Sequence, residues 1–243
     1  MSFQEKLTKI AENTPKVYDA GIEAGKKAER DAFWEVFQKG GKRTNYYQAF
    51  AYGFFNLTTF YPKYDMMLEG DGTMLFYGWE TADSRGSLKQ RLEECGVKLD
   101  TSKCTSLYNA FSYTFITELP TIDLSGINVS NGTHGTFANS WGRTHTIEKI
   151  IVAETTPFRS TTFENAQGLI NVIFEGVIGQ NGLNLQWSNK LSHESLMSII
   201  NILKDYSDDT SGTEWVVTLG ADNLAKLTNE EQQIAYDKGW DLA

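Results

Sequence analysis

Between Thr105 and Phe174 the chain repeats itself three times, and that repetition limits its possible folds more than any other feature. Three segments share one apolar spacing: Leu119-x-x-Ile122-x-Leu124, Ile147-x-x-Ile150-x-Val152 and Leu169-x-x-Val172-x-Phe174. A small or polar residue and then a phenylalanine precede each one, at Ala110-Phe111, Thr136-Phe137 and Thr162-Phe163. Those phenylalanines stand 26 residues apart, at positions 111, 137 and 163. Phe163 meets its triplet six, nine and eleven residues later, while the first copy carries two extra residues in that gap and the second four. A fixed period in this range is the mark of a stacked repeat.

The physics of such a repeat is direct. A strand with alternating apolar residues buries one side, and the x-x step before it lets the chain turn a corner. One copy cannot bury its own apolar face, so copies stack and their faces merge into one core. The expected fold class is therefore α/β, built on a short solenoid at 99–188. Phe111, Phe137 and Phe163 should form an aromatic column on the far side of that core. The residues between the buried triplet members should face outward: Thr121 and Asp123, Lys149 and Ile151, Asn171 and Ile173. They are candidate binding residues, because two isoleucines exposed on adjacent strands call for a covering partner or more of the chain itself.

Other segments flank the repeats. The first thirteen residues read as a short helix with Phe3, Leu7 and Ile10 on one face. Thr14-Pro15 then starts a second helix running to about Gln38. That helix carries alanines four apart, Ala20, Ala24, Ala28 and Ala32, a smooth stripe on which another helix packs closely. The stripe suits self-association, and packing against the chain's own body is the alternative. Residues 1–43 thus form an expected helical oligomerisation or docking segment. An aromatic-rich stretch at 44–98 would cap one end of the stack, with strands at Tyr64 to Leu68 and Met74 to Trp79 around a turn at Gly70-Asp71-Gly72. Within it, Ser87 to Cys95 reads as a helix closed by Gly96. A helical cap at 189–243 would close the other end, with Ser192 capping a helix to about Tyr206, a strand from Trp215 to Leu219, and Thr228-x-x-Glu231 forming a capping box.

Charge and motifs narrow the function classes. The net charge of −9 repels nucleic acid. Residues 1–43 sum to +2, nine Lys and Arg against seven Asp and Glu, which reads as a solvated helix face. The longest apolar run, Ala49 to Phe55, is far too short to span a bilayer, and no secretory signal is read at the start of the chain. Cys95 and Cys104 could pair or remain two thiols in a core. No metal, cofactor, phosphate-loop or nucleophile-elbow spacing is present, so no catalytic residue and no cofactor is expected. A polar loop from Asn128 to Thr146 interrupts the second repeat and carries His134, Trp141, Arg143 and His145. Insertions from a solenoid collect on one face and often bind, and Trp141 could stack on a sugar or fill the core.

The units, Ala-Phe followed by Leu-x-x-Ile-x-Leu, resemble the BspA-like branch of leucine-rich-repeat proteins over about residues 99–188. With the helix Asp19 to Gln38 and the ending Leu224 to Ala243, the chain looks like leucine-rich-repeat proteins of phage and prophage tail or baseplate modules of gut Firmicutes. That resemblance implies a non-enzymatic virion protein, homo-oligomeric through its N-terminal helix. It would contact other virion proteins and a host-surface protein or glycan, with no nucleic acid and no membrane insertion. The alternative is a bacterial surface or secreted adhesin of the same repeat class, binding protein or carbohydrate. The buried small residue that the family places after its phenylalanine is not cysteine here.

Overall fold

The computed structural model describes residues 49–51, 57–80, 82–139 and 144–243. The alanine stripe at Ala20, Ala24, Ala28 and Ala32 lies outside them, as do both N-terminal helices, Trp141 and Arg143. The fold is mixed α/β with parallel sheets. In chain order the strands are β1 Met66–Asp71, β2 Gly86–Ser87, β3 Leu99–Ser106, β4 Ile116–Leu119, β5 Ile122–Asp123, β6 Thr146–Val152, β7 Asn171–Gly176, β8 Trp215–Val217 and β9 Trp240–Leu242. The α-helices are α1 Leu88–Cys95, α2 His193–Asn201, α3 Ala221–Leu224 and α4 Asn229–Asp237.

Every strand pair among the described residues is parallel. β1 lies on β3, β2 on β4, β4 and β5 on β6, β6 on β7, and β8 on β9. Parallel neighbours leave no room for tight hairpins, so the chain travels around a core between one strand and the next. The return path consists of tight turns. In the segment 107–113, Leu107, Asn109, Phe111 and Tyr113 donate their N–H groups to Gly132, His134, Thr136 and Ala138 of the next segment. The alternate residues Ala110 and Ser112 donate within their own segment, to Leu107 and Asn109. This division satisfies the backbone without a regular strand, and it needs left-handed residues. Asn109, Tyr113 and Asn139 sit at φ 52°, 55° and 51°.

The aromatic column forms as expected and is longer than the repeats alone indicated. Phe50, Phe76, Phe111, Phe137 and Phe163 stack in sequence at centroid separations of 5.4, 5.6, 5.9 and 5.0 Å. All five are buried. Each such side chain contributes about 1.5–3 kcal/mol by leaving water. Opposite them lie the apolar residues of the strands, Leu119, Ile122, Ile147, Ile150, Val172 and Phe174, all within the same continuous core.

Three features differ from, or add to, what the sequence alone suggests. The stretch from Met74 to Trp79 is turn rather than strand, and the strand before it is β1, which starts at Met66. Its residues belong to the return path, where Leu75, Phe76 and Trp79 all point inward. The third apolar triplet is also offset. Ile147 faces Val172 rather than Leu169, and Ile150 faces Phe174, across a register shift between Ile147 and Ile150. Lastly, the stretch from Asn128 to Thr146 is not simply an exposed polar loop. Thr133 and Thr136 are fully buried, and the single Thr136 hydroxyl proton is shared between the carbonyls of Leu107 and Thr133, each 3.0 Å away. A buried hydroxyl with its bonds made costs little, so threonine substitutes for apolar residues there.

The helix ends follow local rules. Ser87 accepts the Gln90 N–H at 2.9 Å to start α1, and Gly96 closes it at φ 66°. Thr228 and Glu231 form the expected capping box of α4. Helix α2 starts at its Ser192 cap as expected but stops at Asn201, so the residues up to Tyr206 can pair with segments before and after them. There Ile178 bridges Leu203, and Tyr206 donates its N–H to Lys238. Cys95 and Cys104 are both free thiols, and burial pushes the Cys104 thiol up to about 12.

Candidate functional site

Two surfaces collect most of the chemistry. The first is the outer face of the strands. Register places Asp123, Ile151 and Glu175 in one row across β5, β6 and β7. Glu118, Thr146 and Asn171 form a second row across β4, β6 and β7. Lys149 sits in the interval where the register shifts, and its ammonium reaches Glu175 at 2.6 Å. The structure therefore brings Asp123 directly beside Ile151. It does not set Ile151 opposite Ile173, because Ile151 faces Glu175 instead. Both isoleucines are half-buried, so this face is a lattice of charges with apolar filling.

Thr121 leads to a feature that sequence reasoning missed. It lies in a groove of about 260 Å³ between α1 and the connection from β4 to β5, lined with Leu92, Val97, Leu99 and Pro120. Glu148 holds the groove's edge. Its carboxylate meets the Lys89 ammonium at 3.0 Å and accepts both the N–H and the hydroxyl of Thr121 at 3.2 Å. Partial burial works to raise the Glu148 carboxyl, but the Lys89 ammonium and the Thr121 hydrogen bonds outweigh it and hold the group below its ordinary range. Lys89 and Glu148 satisfy one another at the edge, Glu93 and Lys98 add two further charges to the lining, and Leu92, Val97, Leu99 and Pro120 form an apolar floor. No spacing in the sequence links Lys89 to Glu148, because they meet only when α1 packs beside β6.

The two described histidines of the Asn128–Thr146 stretch are separated. His145 is exposed at the head of β6, and its carbonyl accepts from Ile170 and Asn171. His134 lies on the turn layer, stacked on Tyr108 with centroids 4.8 Å apart and with Nδ1 2.9 Å from the Thr161 hydroxyl.

This turn layer is the second surface. Asn139 and Asn165 occupy equivalent positions on successive segments, and the Asn165 amide donates to the Asn139 side-chain oxygen at 2.9 Å. Tyr113 precedes them in the same column, its ring 5.3 Å from that of Tyr77. The Ser188 hydroxyl donates to the Ala166 carbonyl at 3.3 Å, and the neighbouring Trp187 is exposed.

A third, acidic cup of about 470 Å³ lies at Lys204 to Asp209. Trp215 donates its indole N–H to Asp209 at 2.7 Å, and this bond with those from Ser211 holds the carboxyl low. Among the described residues, no group of three or more His, Cys, Asp or Glu is placed to hold a metal ion. No helix in the described part is long and apolar enough to cross a membrane. No protein-family model, curated protein or solved structure matches this chain.

Proposed function

We propose that the chain is a short leucine-rich-repeat solenoid of BspA-like type, acting as a non-enzymatic recognition and structural protein of a phage tail or baseplate. The observation that carries the repeat reading is the register between segments. Phe111, Phe137 and Phe163 stack at the spacing of the sequence period, and parallel strands follow one another around a single core. Stacked repeats of this kind present long, regular lateral surfaces, which suits binding to a partner better than enclosing a substrate. The face with Thr121, Asp123, Lys149, Ile151, Asn171 and Ile173 is one such surface. The alanine stripe of the N-terminal segment supports docking into a multimeric particle, with the solenoid turned toward a host-surface protein or glycan.

Light scattering on the whole chain and on a chain beginning at Gly41 tests this reading. A multimer that becomes monomeric on truncation supports assembly through the alanine stripe. A monomer in both cases overturns the particle-docking part and favours a surface adhesin of the same repeat class.

A further inference from the structure

We propose that Asn131 is a site of spontaneous covalent modification, where the Asn131–Gly132 peptide cyclises with loss of ammonia and reopens as aspartate or isoaspartate. The inference is independent of the recognition reading. Asn-Gly occurs twice in the chain, at Asn131–Gly132 and Asn181–Gly182. The dipeptide is reactive because glycine has no Cβ to crowd its own backbone nitrogen. The sequence does not rank the two copies, and the structure does.

The chemistry is an internal acyl transfer. The Gly132 backbone nitrogen loses its proton and attacks Cγ of Asn131. A bond forms between that nitrogen and Cγ, the Cγ–Nδ2 bond breaks, and Nδ2 leaves as ammonia with the proton. Solvent water then hydrolyses the cyclic imide. Attack at Cγ gives an ordinary aspartate, and attack at the backbone carbonyl carbon gives isoaspartate. The protein must supply a side-chain amide free to rotate and a backbone N–H that can be released.

Asn131 meets both conditions. Its side chain is exposed and makes no hydrogen bond with the described residues. The Gly132 N–H donates to the Val129 carbonyl at 2.8 Å, closing a turn in which Val129, Ser130 and Asn131 are all exposed. Such a turn opens locally, without unfolding the core. Arg159 Nε donates to the Ser130 carbonyl at 2.6 Å, which sets a guanidinium on the peptide just before Asn131. A cation there favours both the deprotonated nitrogen and the carboxylate product.

Asn181 is also exposed, but its amide is tied at both ends. Nδ2 donates to the Glu214 carbonyl at 2.9 Å, and Oδ1 accepts the Val216 N–H at 2.7 Å. Val216 belongs to β8, so the amide must leave a strand before its Cγ can turn toward Gly182.

The two products at Asn131 differ in their effect. Isoaspartate adds a methylene to the backbone just ahead of Gly132, whose carbonyl accepts the Leu107 N–H. Gly132 is packed so closely that a Cβ would lie 2.4 Å from Cγ2 of Ile127. The isoaspartyl form therefore loosens the turn layer, whereas aspartate only adds a charge at an exposed position.

The test incubates the full chain at mildly alkaline pH, folded and in parallel unfolded in urea. Peptide mapping by mass spectrometry follows each asparagine, and isoaspartyl methyltransferase labelling separates the two products. In the folded chain Asn131 should react about tenfold or more faster than Asn181, the factor that the two side-chain hydrogen bonds of Asn181 impose. In urea the two sites should react at similar rates. Arg159→Gln should slow the reaction at Asn131 in the folded chain and not in urea, and no slowing would overturn the part assigned to the guanidinium. Equal rates in the folded chain, or a faster reaction at Asn181, would overturn the proposal. So would a folded chain in which neither site reacts while both react in urea.

Discussion

The hydroxyl of Ser195 accepts the backbone N–H of Val172 at 2.9 Å, so a helix side chain closes the open edge of a β-strand. Ser198 does the same for Phe174 at 3.1 Å. Strand β7 pairs with β6 on one side only, and its other edge would be a row of unpaired groups ready for another chain. Helix α2 covers that edge, with its serines spaced to meet alternate strand residues.

Ser195→Ala should therefore destabilise the fold by about 1–3 kcal/mol, since it leaves a buried N–H without an acceptor. Ser198→Ala should cost less, because its site is only partly buried. Chemical denaturation gives the difference, and hydrogen exchange should show faster exchange at Val172 in the Ser195 variant. Unchanged exchange there would mean that the hydroxyl does not protect the edge.

Phe137 is an inner member of the column, with Phe111 on one side and Phe163 on the other. Phe137→Ala should cost about 3–5 kcal/mol, the range for deleting a buried ring whose cavity cannot collapse. Phe137→Leu should retain most of that stability. Equal losses in a denaturant titration would argue that ring stacking, not volume, dominates the site.

Gly135 sits at φ 61°, and a Cβ there would come within 1.9 Å of the Asn109 side-chain oxygen. Gly135→Ala should thus carry two penalties, about 1–2 kcal/mol for the left-handed backbone and a further steric cost. In an Asn109→Gly background the steric part should vanish while the backbone part remains. A double-mutant cycle reads the coupling, and strict additivity would contradict the contact.

The Lys89–Glu148–Thr121 cluster makes a pH prediction. The folded-state Glu148 carboxyl lies below its ordinary value and the Lys89 ammonium above its own. The Glu148 contribution is present above the unfolded carboxylate pKa of about 4.3 and is lost as pH falls through the lower folded value. The Lys89 contribution is present below the unfolded lysine pKa of about 10.4 and is lost as pH rises through the higher folded value. The pair is partly exposed, so Glu148→Gln should cost only about 0.2–1 kcal/mol at neutral pH. Unfolding measured across the acid range should show parent and variant converging. A gap that persists in strong acid would place the effect in packing instead.

Much of the architecture was legible because it depends on local or periodic signals. The 26-residue interval between Phe111, Phe137 and Phe163 predicted a stacked column, since equal chain lengths around one core return equivalent residues to the same place. Ser87 with Gly96, and Thr228 with Glu231, announced helix ends because capping joins residues within one turn.

What the tertiary structure decided are the relations between segments. The Ile147–Val172 register depends on how the return path takes up unequal lengths, and the sequence spacing carries no record of it. Thr133 and Thr136 lie in a stretch whose sequence reads as a polar loop, and hydrogen bonds with other parts of the turn layer are what permit their burial. The Lys89–Glu148 and Asn139–Asn165 pairs join residues from separate segments. Periodicity set which phenylalanines stack, but only packing chose which other side chains became neighbours, because contact between segments depends on register and register on the whole length of chain between one strand and the next.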